Sequence, residues 1–183
     1  KVQLAVWLRD FAAGLGKRDL ALSAAETAFR EERSLASYQN VQELAGDEWG
    51  ERRERLLDQL RQAGSRSFSR QGPVEIFLHE GLIDDAIAVV DGTNDYYAIE
   101  PVVKAALASH PDWAIRSSKG QAEPIMDRGQ SAAYHHAVRW LGHARDAYLA
   151  AGRRAEWQAY LDELLAQHGR KYKLVAMLKA LGR

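Results

Sequence analysis

Residues 25–45 read AETAFREERSLASYQNVQELA, and residues 144–164 read ARDAYLAAGRRAEWQAYLDEL. The two stretches align without a gap, so that Phe29 falls on Tyr148 and Tyr38 falls on Trp157. Each contains a helix of small residues with an aromatic, a turn, and a second helix with an aromatic near its start. Internal similarity of this kind is typical of stacked helix pairs. It predicts a tetratricopeptide-like α-solenoid of antiparallel helix pairs, and a compact helical bundle is the alternative.

The same helical period runs through nearly the whole chain. Apolar residues recur at i, i+3, i+4 and i+7, and no window shows the sustained alternation of a half-buried strand. We therefore expect an all-α fold of about ten or eleven helices joined by short turns. The clearest stripes predicted to be buried are Leu4, Trp7, Leu8, Phe11, Ala12 and Leu15; Ala21, Ala24, Ala25, Ala28 and Phe29; and Trp157, Tyr160, Leu161, Leu164, Leu165 and His168.

Helix ends are predicted from glycine, proline and capping residues. Glycines such as Gly64 end helices readily because they adopt positive φ at little cost. Asp47 and Ser131 stand where N-caps are expected. Pro111 suits a first helical turn, and Pro101 either does the same or moves the start of its helix later along the chain.

The composition is that of a folded chain with no net charge. The chain has 183 residues, of which 46% are hydrophobic, and its 25 Lys and Arg balance 25 Asp and Glu. Neutrality argues against nucleic acid as the default partner. The first residue is Lys, so we expect residues 1–183 to form a single repeat-like domain that is the C-terminal fragment of a larger protein.

The chain contains no cysteine, which excludes disulfides, thiolate nucleophiles and cysteine-bound zinc from it. No apolar run is long enough for a membrane span, and no signal peptide is visible. We therefore expect a cytoplasmic protein without membrane contact.

Three histidines, His135, His136 and His143, raise the question of a metal or catalytic site. On a helix they face away from the apolar stripe that contains Tyr134 and Leu141. His136 and His143 share a face but lie about 10.5 Å apart along the helix axis. One zinc ion binds nitrogen at about 2.1 Å and does not bridge that gap. The spacing predicts histidines that face solvent, with no metal.

Two further motifs resemble catalytic or binding signatures only in part. HEGLI (79–83) has Ile83 where a zinc protease helix needs its second histidine, and it is better interpreted as a turn between two helices. GLGKRD (14–19) has Arg18 where a phosphate loop needs Ser or Thr. No serine nucleophile elbow is present. We therefore predict no catalytic residues, no metal and no cofactor.

The most basic stretch is HGRKYKLVAMLKALGR (168–183). Its candidate partner-binding residues are Arg170, Lys171, Tyr172 and Lys173, because cations hold phosphates and an aromatic ring stacks on a base. The alternative is a last helix whose leucines close the array while its cations stay in water. Residues 134–183 as a whole carry nine bases and four acids, a net charge of +5.

The stretch from HPDWAIRSSKG to KYKLVAML (110–178) resembles the C-terminal helical region of prokaryotic SWIM zinc-finger proteins. ASYQNVQELAGDEWGERRERLLDQL and LHEGLIDDAIAVV are similar to the same region, so the resemblance covers nearly the whole chain. The resemblance implies a zinc finger of the form C-x-C…C-x-H that precedes the helical region and binds DNA or protein. None of its ligands is carried over, because this chain has no cysteine.

Together these observations predict a non-catalytic helical scaffold that mediates protein–protein interaction. A nucleic-acid-associated module that uses the basic C-terminal end is the alternative. The protein partner is not defined by the sequence, which is also compatible with self-association and with nucleic-acid contact through the parent protein.

Overall fold

The computed structural model describes residues 1–62 and 69–182, and it contains helices and no strand within these ranges. The prediction of an all-α fold is confirmed. The predicted helix end at Gly64 lies outside the described residues. The α-helices are α1 (Val2–Gly14), α2 (Arg18–Glu32), α3 (Leu35–Ala45), α4 (Trp49–Gln62), α5 (Gln71–His79), α6 (Ile83–Val90), α7 (Tyr96–Ala106), α8 (Pro111–Asp127), α9 (Tyr134–Ala150), α10 (Arg154–Gln167) and α11 (Tyr172–Leu181).

The chain divides into two compact units, Lys1–Thr93 with α1–α6 and Asn94–Arg183 with α7–α11. In the first unit α1 packs on α2, α2 on α3, and α5 on α6. In the second, α7 packs on α8, α8 on α9, and α9 contacts α10 and α11. Helices that follow one another are thus neighbours in space, as helix pairs require. A single domain over residues 1–183, and a solenoid in preference to a bundle, stay predictions.

The two similar stretches of sequence bury their aromatic residues in the same way. The ring centres of Phe29 and Tyr38 lie 6.0 Å apart across α2 and α3. Those of Tyr148 and Trp157 lie 6.2 Å apart across α9 and α10. Since all four side chains are buried, each aromatic pair joins the two helices of its hairpin.

The turns of these two hairpins also correspond. α3 begins at Leu35 and α10 begins at Arg154, which are aligned positions. Two residues before each start, the backbone has positive φ: 51° at Arg33 and 71° at Gly152. The left-handed conformation reverses the chain in both turns, although only the second uses the glycine that adopts it without strain.

Two predicted helix caps are wrong. Asp47 lies inside a 3₁₀ turn (Gly46–Glu48), and Ser131 lies in a turn that ends before α9 begins. Side-chain caps are found instead at Ser34, whose hydroxyl accepts the Ser37 N–H at 3.1 Å, and at Asp95, whose carboxylate accepts two N–H groups of α7. Several polar residues flank each turn, and the backbone conformation decides which of them reaches a free N–H.

The prolines gave one correct and one wrong expectation. Pro111 is the first residue of α8, as predicted. Pro101 neither begins α7 nor delays it, because Asp95 caps the helix and α7 already starts at Tyr96. Pro101 therefore lies inside the helix on its exposed side, where it removes one backbone donor.

Both partial motifs are turns between helices. α5 ends at His79, Gly81 adopts a φ of 71°, and α6 begins at Ile83, so the interpretation of HEGLI is confirmed. GLGKRD joins α1 to α2, and it follows a helix where a phosphate loop would follow a strand.

The predicted stripes of α2 and α10 form the core of their units. In α2 all five stripe residues are buried, and in α10 the only stripe residue that is partly exposed is Leu165. Among the described residues no helix has both the length and the apolar character needed to cross a membrane. The largest fully buried side chains are Phe29, Tyr38, Leu57, Ile76 and Phe77 in the first unit and Met126, Leu141, Leu174 and Leu178 in the second.

Partly buried hydrogen bonds between side chains join helices inside each unit. In the first, the Tyr38 hydroxyl donates to Glu80 at 2.8 Å, and Arg53 donates to the other oxygen of Glu80 at 2.6 Å. In the second, the Tyr160 hydroxyl donates to Glu123 at 2.9 Å. Burial and the adjacent carboxylate raise the pKa of both tyrosines. These carboxylates have partners that hold the fold together, so they do not form free acid–base pairs.

Candidate functional site

The predicted burial of the first apolar stripe is wrong for four of its six residues, whereas Ala12 is buried and Leu8 is partly buried. Four of its large side chains are 52–68% exposed, and we call them the α1 stripe: Leu4, Trp7, Phe11 and Leu15. The buried side chains of α1 are Ala5 and Ala12, which lie on the adjacent arc of the helix. α1 therefore meets its unit through small residues and leaves its large apolar residues in solvent.

The contact between α1 and α2 explains why the small residues of α1 are buried and its large apolar residues are exposed. α2 buries Ala21, Ala24, Ala25 and Ala28, and alanine on both helices allows their backbones to approach closely. The periodicity of α1 showed an apolar face, but it did not show which part of that face has a neighbour. Ala12 was correctly predicted to be buried, because it lies on the edge that meets α2.

The α1 stripe forms one continuous apolar ridge. Leu4, Trp7 and Phe11 stand at i, i+3 and i+7, so they share one side of α1, and Leu15 at i+11 follows directly after its last residue, Gly14. The rings of Trp7 and Phe11 stack at 5.2 Å with an angle of 9° between their planes. An aromatic side chain alone presents on the order of 150–250 Å² for burial, so the ridge approaches the largest apolar patch of an ordinary monomer.

The four candidate residues of the basic stretch differ in their exposure and in their contacts. Lys171 is partly buried, and its Nζ donates to the carbonyl of Met126 at 2.7 Å and lies 3.1 Å from Nδ1 of His168. This lysine links the start of α11 to the end of α8. Arg170, Tyr172 and Lys173 are exposed, with Tyr172 at 85%. The assignment of these four residues to partner binding stays a prediction, and Lys171 differs from the other three because its ammonium group has partners within the unit.

The leucines of α11 support the other interpretation of this stretch. Leu174 and Leu178 are completely buried, and Met177 and Leu181 are partly exposed. α11 thus packs against α9 and α10 through these leucines, and the choice between a binding surface and a closing helix stays a prediction.

The role of Lys171 gives a test by pH titration. Burial holds the pKa of His168 below its ordinary value, and the charge of Lys171 lowers it further against an opposing effect of Asp127. We expect Lys171→Met to raise the pKa of His168, as observed by NMR titration of the imidazole. Lys173→Met is the matched control, and an equal shift in both variants would contradict the contact.

The sign of the stability effect follows from the lowered pKa. As pH falls below the ordinary histidine value of about 6.5, the unfolded chain takes up the proton before folded His168 does, so the free energy of unfolding decreases. Lys171→Met should reduce this acid-induced loss, as measured by urea denaturation at neutral and at mildly acidic pH. The carbonyl of Met126 loses the Lys171 donor in the variant and keeps the N–H of Gly129 at 3.2 Å, so the free energy of unfolding at neutral pH should be slightly lower.

The three histidines of α9 do not share one environment. His135 and His136 are exposed, as predicted. His143 does not face solvent freely: its side chain is 14% exposed, and its Nε2 lies 2.9 Å from Glu100 of α7. Glu100 also accepts two hydrogen bonds from Arg139, at 2.8 and 2.7 Å. The contact with α7 is long-range in sequence, so the helical wheel of α9 did not reveal it.

The Glu100 carboxylate is the common acceptor for several side chains of the second unit. Burial by itself would raise its pKa, but hydrogen bonds from His143, Arg139 and Lys104 outweigh burial and lower it. The carboxylate therefore stays ionised and joins α7 to α9. Within the described residues, no group of three or more His, Asp or Glu side chains is placed to hold a metal ion. The absence of a resident metal or cofactor stays a prediction.

No family model, no curated protein and no solved structure matches this chain. The resemblance to the C-terminal region of SWIM zinc-finger proteins consequently stays a prediction. What the structure defines is an all-α chain whose first helix carries an exposed apolar ridge.

Proposed function

We propose that this chain is a non-catalytic helical scaffold of the cytoplasm that binds a protein partner through the α1 stripe. The observation that carries the proposal is the exposure of four large apolar side chains on one side of one helix. Exposed apolar patches of this extent mark interaction sites more often than they mark ordinary surface. Trp7 and Phe11 at its centre are aromatic residues, which are enriched at protein interfaces, and Trp is among the types that most often dominate the binding energy there.

The spacing of the stripe favours an amphipathic helix as the occupant. Ridges at i, i+3, i+7 and i+11 are the pattern by which one helix packs along another. The stripe itself has no charge, and the neighbouring Arg9 is paired with Asp10 at 2.7 Å. The apolar face of a partner helix could therefore pack on the stripe without burying an unpaired charge. A nucleic acid is disfavoured, because the stripe has no cations to bind its phosphates.

The non-catalytic part of the proposal is supported by the polar clusters. Glu80, Glu100 and Glu123 are each bound by side chains of other helices in their own unit. We also propose that the chain is the helical region of a parent protein related to SWIM zinc-finger proteins. A C-x-C…C-x-H unit ahead of this region in the parent sequence would support that relation.

Site-specific photo-crosslinking tests the proposed function. Phe11 is replaced by p-benzoylphenylalanine in the cells that produce the protein, and Tyr172 is replaced in the same way as a control in the basic stretch. Both positions are exposed, so neither replacement disturbs a core. We expect adducts with a discrete protein at position 11, because a partner that covers the stripe lies within reach of the reactive group. We expect no protein adduct at position 172.

A second variant shows whether adducts depend on the stripe. Leu4→Asp together with Leu15→Asp should abolish the adducts at position 11 without loss of helical content, because both leucines are more than half exposed. Adducts that persist in this variant, or a chain that forms none at position 11, would contradict the proposal. Nucleic-acid adducts at position 172 would favour the alternative, in which the basic end makes the contact.

A further inference from the structure

A groove between α2 and α4 of the first unit is lined by arginine. Its volume is about 190 Å³, and it is independent of the α1 stripe. On α4 the lining residues stand at i, i+3, i+4 and i+7, so they occupy one face of that helix. The residues that line it are Glu26 and Arg30 from α2 and Arg52, Arg55, Leu56 and Gln59 from α4.

The arginines of the groove differ in the partners that their guanidinium groups contact. Arg52 is held by two carboxylates, Glu26 and Glu48, the latter at 2.6 Å. Arg30 donates to two neutral oxygens, the carbonyl of Glu26 at 3.3 Å and the hydroxyl of Thr27 at 3.0 Å. Two of the three arginines are therefore not matched by a close carboxylate in the lining.

Arg55 is the second of these two arginines. The carboxylate of Glu51 lies 3.9 Å from its guanidinium group, beyond hydrogen-bond distance. The lining has three arginines and one acid, Glu26, and outside it Glu48 binds Arg52 and Glu51 lies 3.9 Å from Arg55, so Arg30 is the lining arginine whose printed contacts include no carboxylate. A cleft with excess charge of one sign attracts ligands of the opposite sign.

The chemistry of the lining defines the class of ligand. Guanidinium groups present planar donor forks that match the two oxygens of a carboxylate. Leu56 is the buried apolar member of the lining, and its side chain can contact the methylenes that carry such a carboxylate. Gln59 is exposed beside it and supplies an amide, which hydrogen-bonds to peptide backbone.

The size of the groove favours a peptide carboxylate over a nucleotide. Pockets that enclose a whole small molecule have volumes of about 300–1,000 Å³. At about 190 Å³, this groove admits one side chain or one chain terminus. Glu26 also stands in the lining and disfavours a ligand of higher negative charge, such as a run of phosphates.

From this geometry we infer that the groove between α2 and α4 binds an acidic peptide segment, with one carboxylate held between Arg30 and Arg55. The carboxylate belongs to an Asp or Glu side chain within that segment of a partner protein. The groove and the α1 stripe are different surfaces, so either proposal can fail while the other holds.

The test uses the full chain and a fluorescein-labelled peptide, Ser-Leu-Glu-Glu-Asp, with Ser-Leu-Gln-Gln-Asn amide as its neutral counterpart. Binding is measured by fluorescence anisotropy at low and at physiological salt. We expect the acidic peptide to bind, the neutral one not to bind, and affinity to fall as salt is raised. Arg30→Gln together with Arg55→Gln should weaken binding at least about tenfold, because two charge-assisted contacts are lost.

Arg116→Gln together with Arg154→Gln is the matched control, since it removes the same charge from exposed positions of the second unit. The control should bind the acidic peptide as the unaltered chain does, and circular dichroism should show that both double variants keep their helices. Equal weakening in the two double variants would overturn the inference, because general attraction to a cationic surface would then explain binding. So would failure of the acidic peptide to bind at low salt, or its displacement by a single-stranded oligonucleotide at lower concentration than by unlabelled peptide.

Discussion

Gly72→Ala should destabilise the first unit by about 3 kcal/mol, the upper range for an atom inserted into a packed site. A β-carbon at Gly72 would lie 2.0 Å from the carbonyl oxygen and 3.0 Å from the carbonyl carbon of Arg33. These are backbone atoms of the turn between α2 and α3, so no side chain can rotate to make room. Either α5 or the turn has to move. Urea denaturation followed by far-ultraviolet circular dichroism measures the effect.

The same substitution at Gly50 is the control, and its expected sign is opposite. Gly50 lies within α4, has no atom within 4 Å of a β-carbon, and is not among the glycines with positive φ. Alanine there should raise the free energy of unfolding by about 0.5–1 kcal/mol, because glycine is the poorer helix former. If Gly72→Ala were as well tolerated as Gly50→Ala, the close approach of α5 to the Arg33 turn would be wrong.

Tyr38→Ala should cost about 3–5 kcal/mol, as truncation of a large buried ring does. Tyr38 is completely buried, and its ring contacts Phe29 at 6.0 Å and Trp49 at 5.1 Å between ring centres. Removal of the ring leaves a cavity among α2, α3 and the start of α4. It also leaves Glu80 without the hydroxyl that donates to it. Urea denaturation of the full chain gives the loss in free energy of unfolding.

Tyr38→Phe separates packing from hydrogen bonding. It keeps the ring and removes only the bond to Glu80, so we expect a loss of about 1.5–3 kcal/mol, typical of a hydrogen bond to a charged group. Glu80 keeps its contact with Arg53, which limits the loss. Equal losses in the alanine and phenylalanine variants would show that the hydrogen bond, and not the aromatic packing, stabilises this site.

Much of the fold was predictable because helices leave a local signal. The apolar residues of α2 and α10 repeat with the period of the helix, and both stripes are buried as predicted. The alignment of Phe29 with Tyr148 and of Tyr38 with Trp157 also corresponds to two buried ring pairs of similar geometry. Caps were less predictable, since Ser34 and Asp95 compete with other polar residues near the same turns.

The surfaces were less predictable because they depend on neighbours that are distant in sequence. In the sequence Lys171 cannot be distinguished from the cations beside it. In the structure its Nζ donates to the carbonyl of Met126 at 2.7 Å. His143 belonged to the polar side of α9, yet Glu100 of α7 reaches it. Neither contact could be predicted from the periodicity of the sequence, because each joins residues that are distant along the chain.

The sequence by itself determined that this protein is all-α, where most of its helices lie, and which of their faces are apolar, because each of these properties depends on residues only a few positions apart. Tertiary structure alone decided that α1 packs through Ala5 and Ala12 and exposes Trp7 and Phe11. It also decided that Arg30 and Arg55 line one groove. Burial and charge pairing are properties of two surfaces in contact, and periodicity describes only one of them.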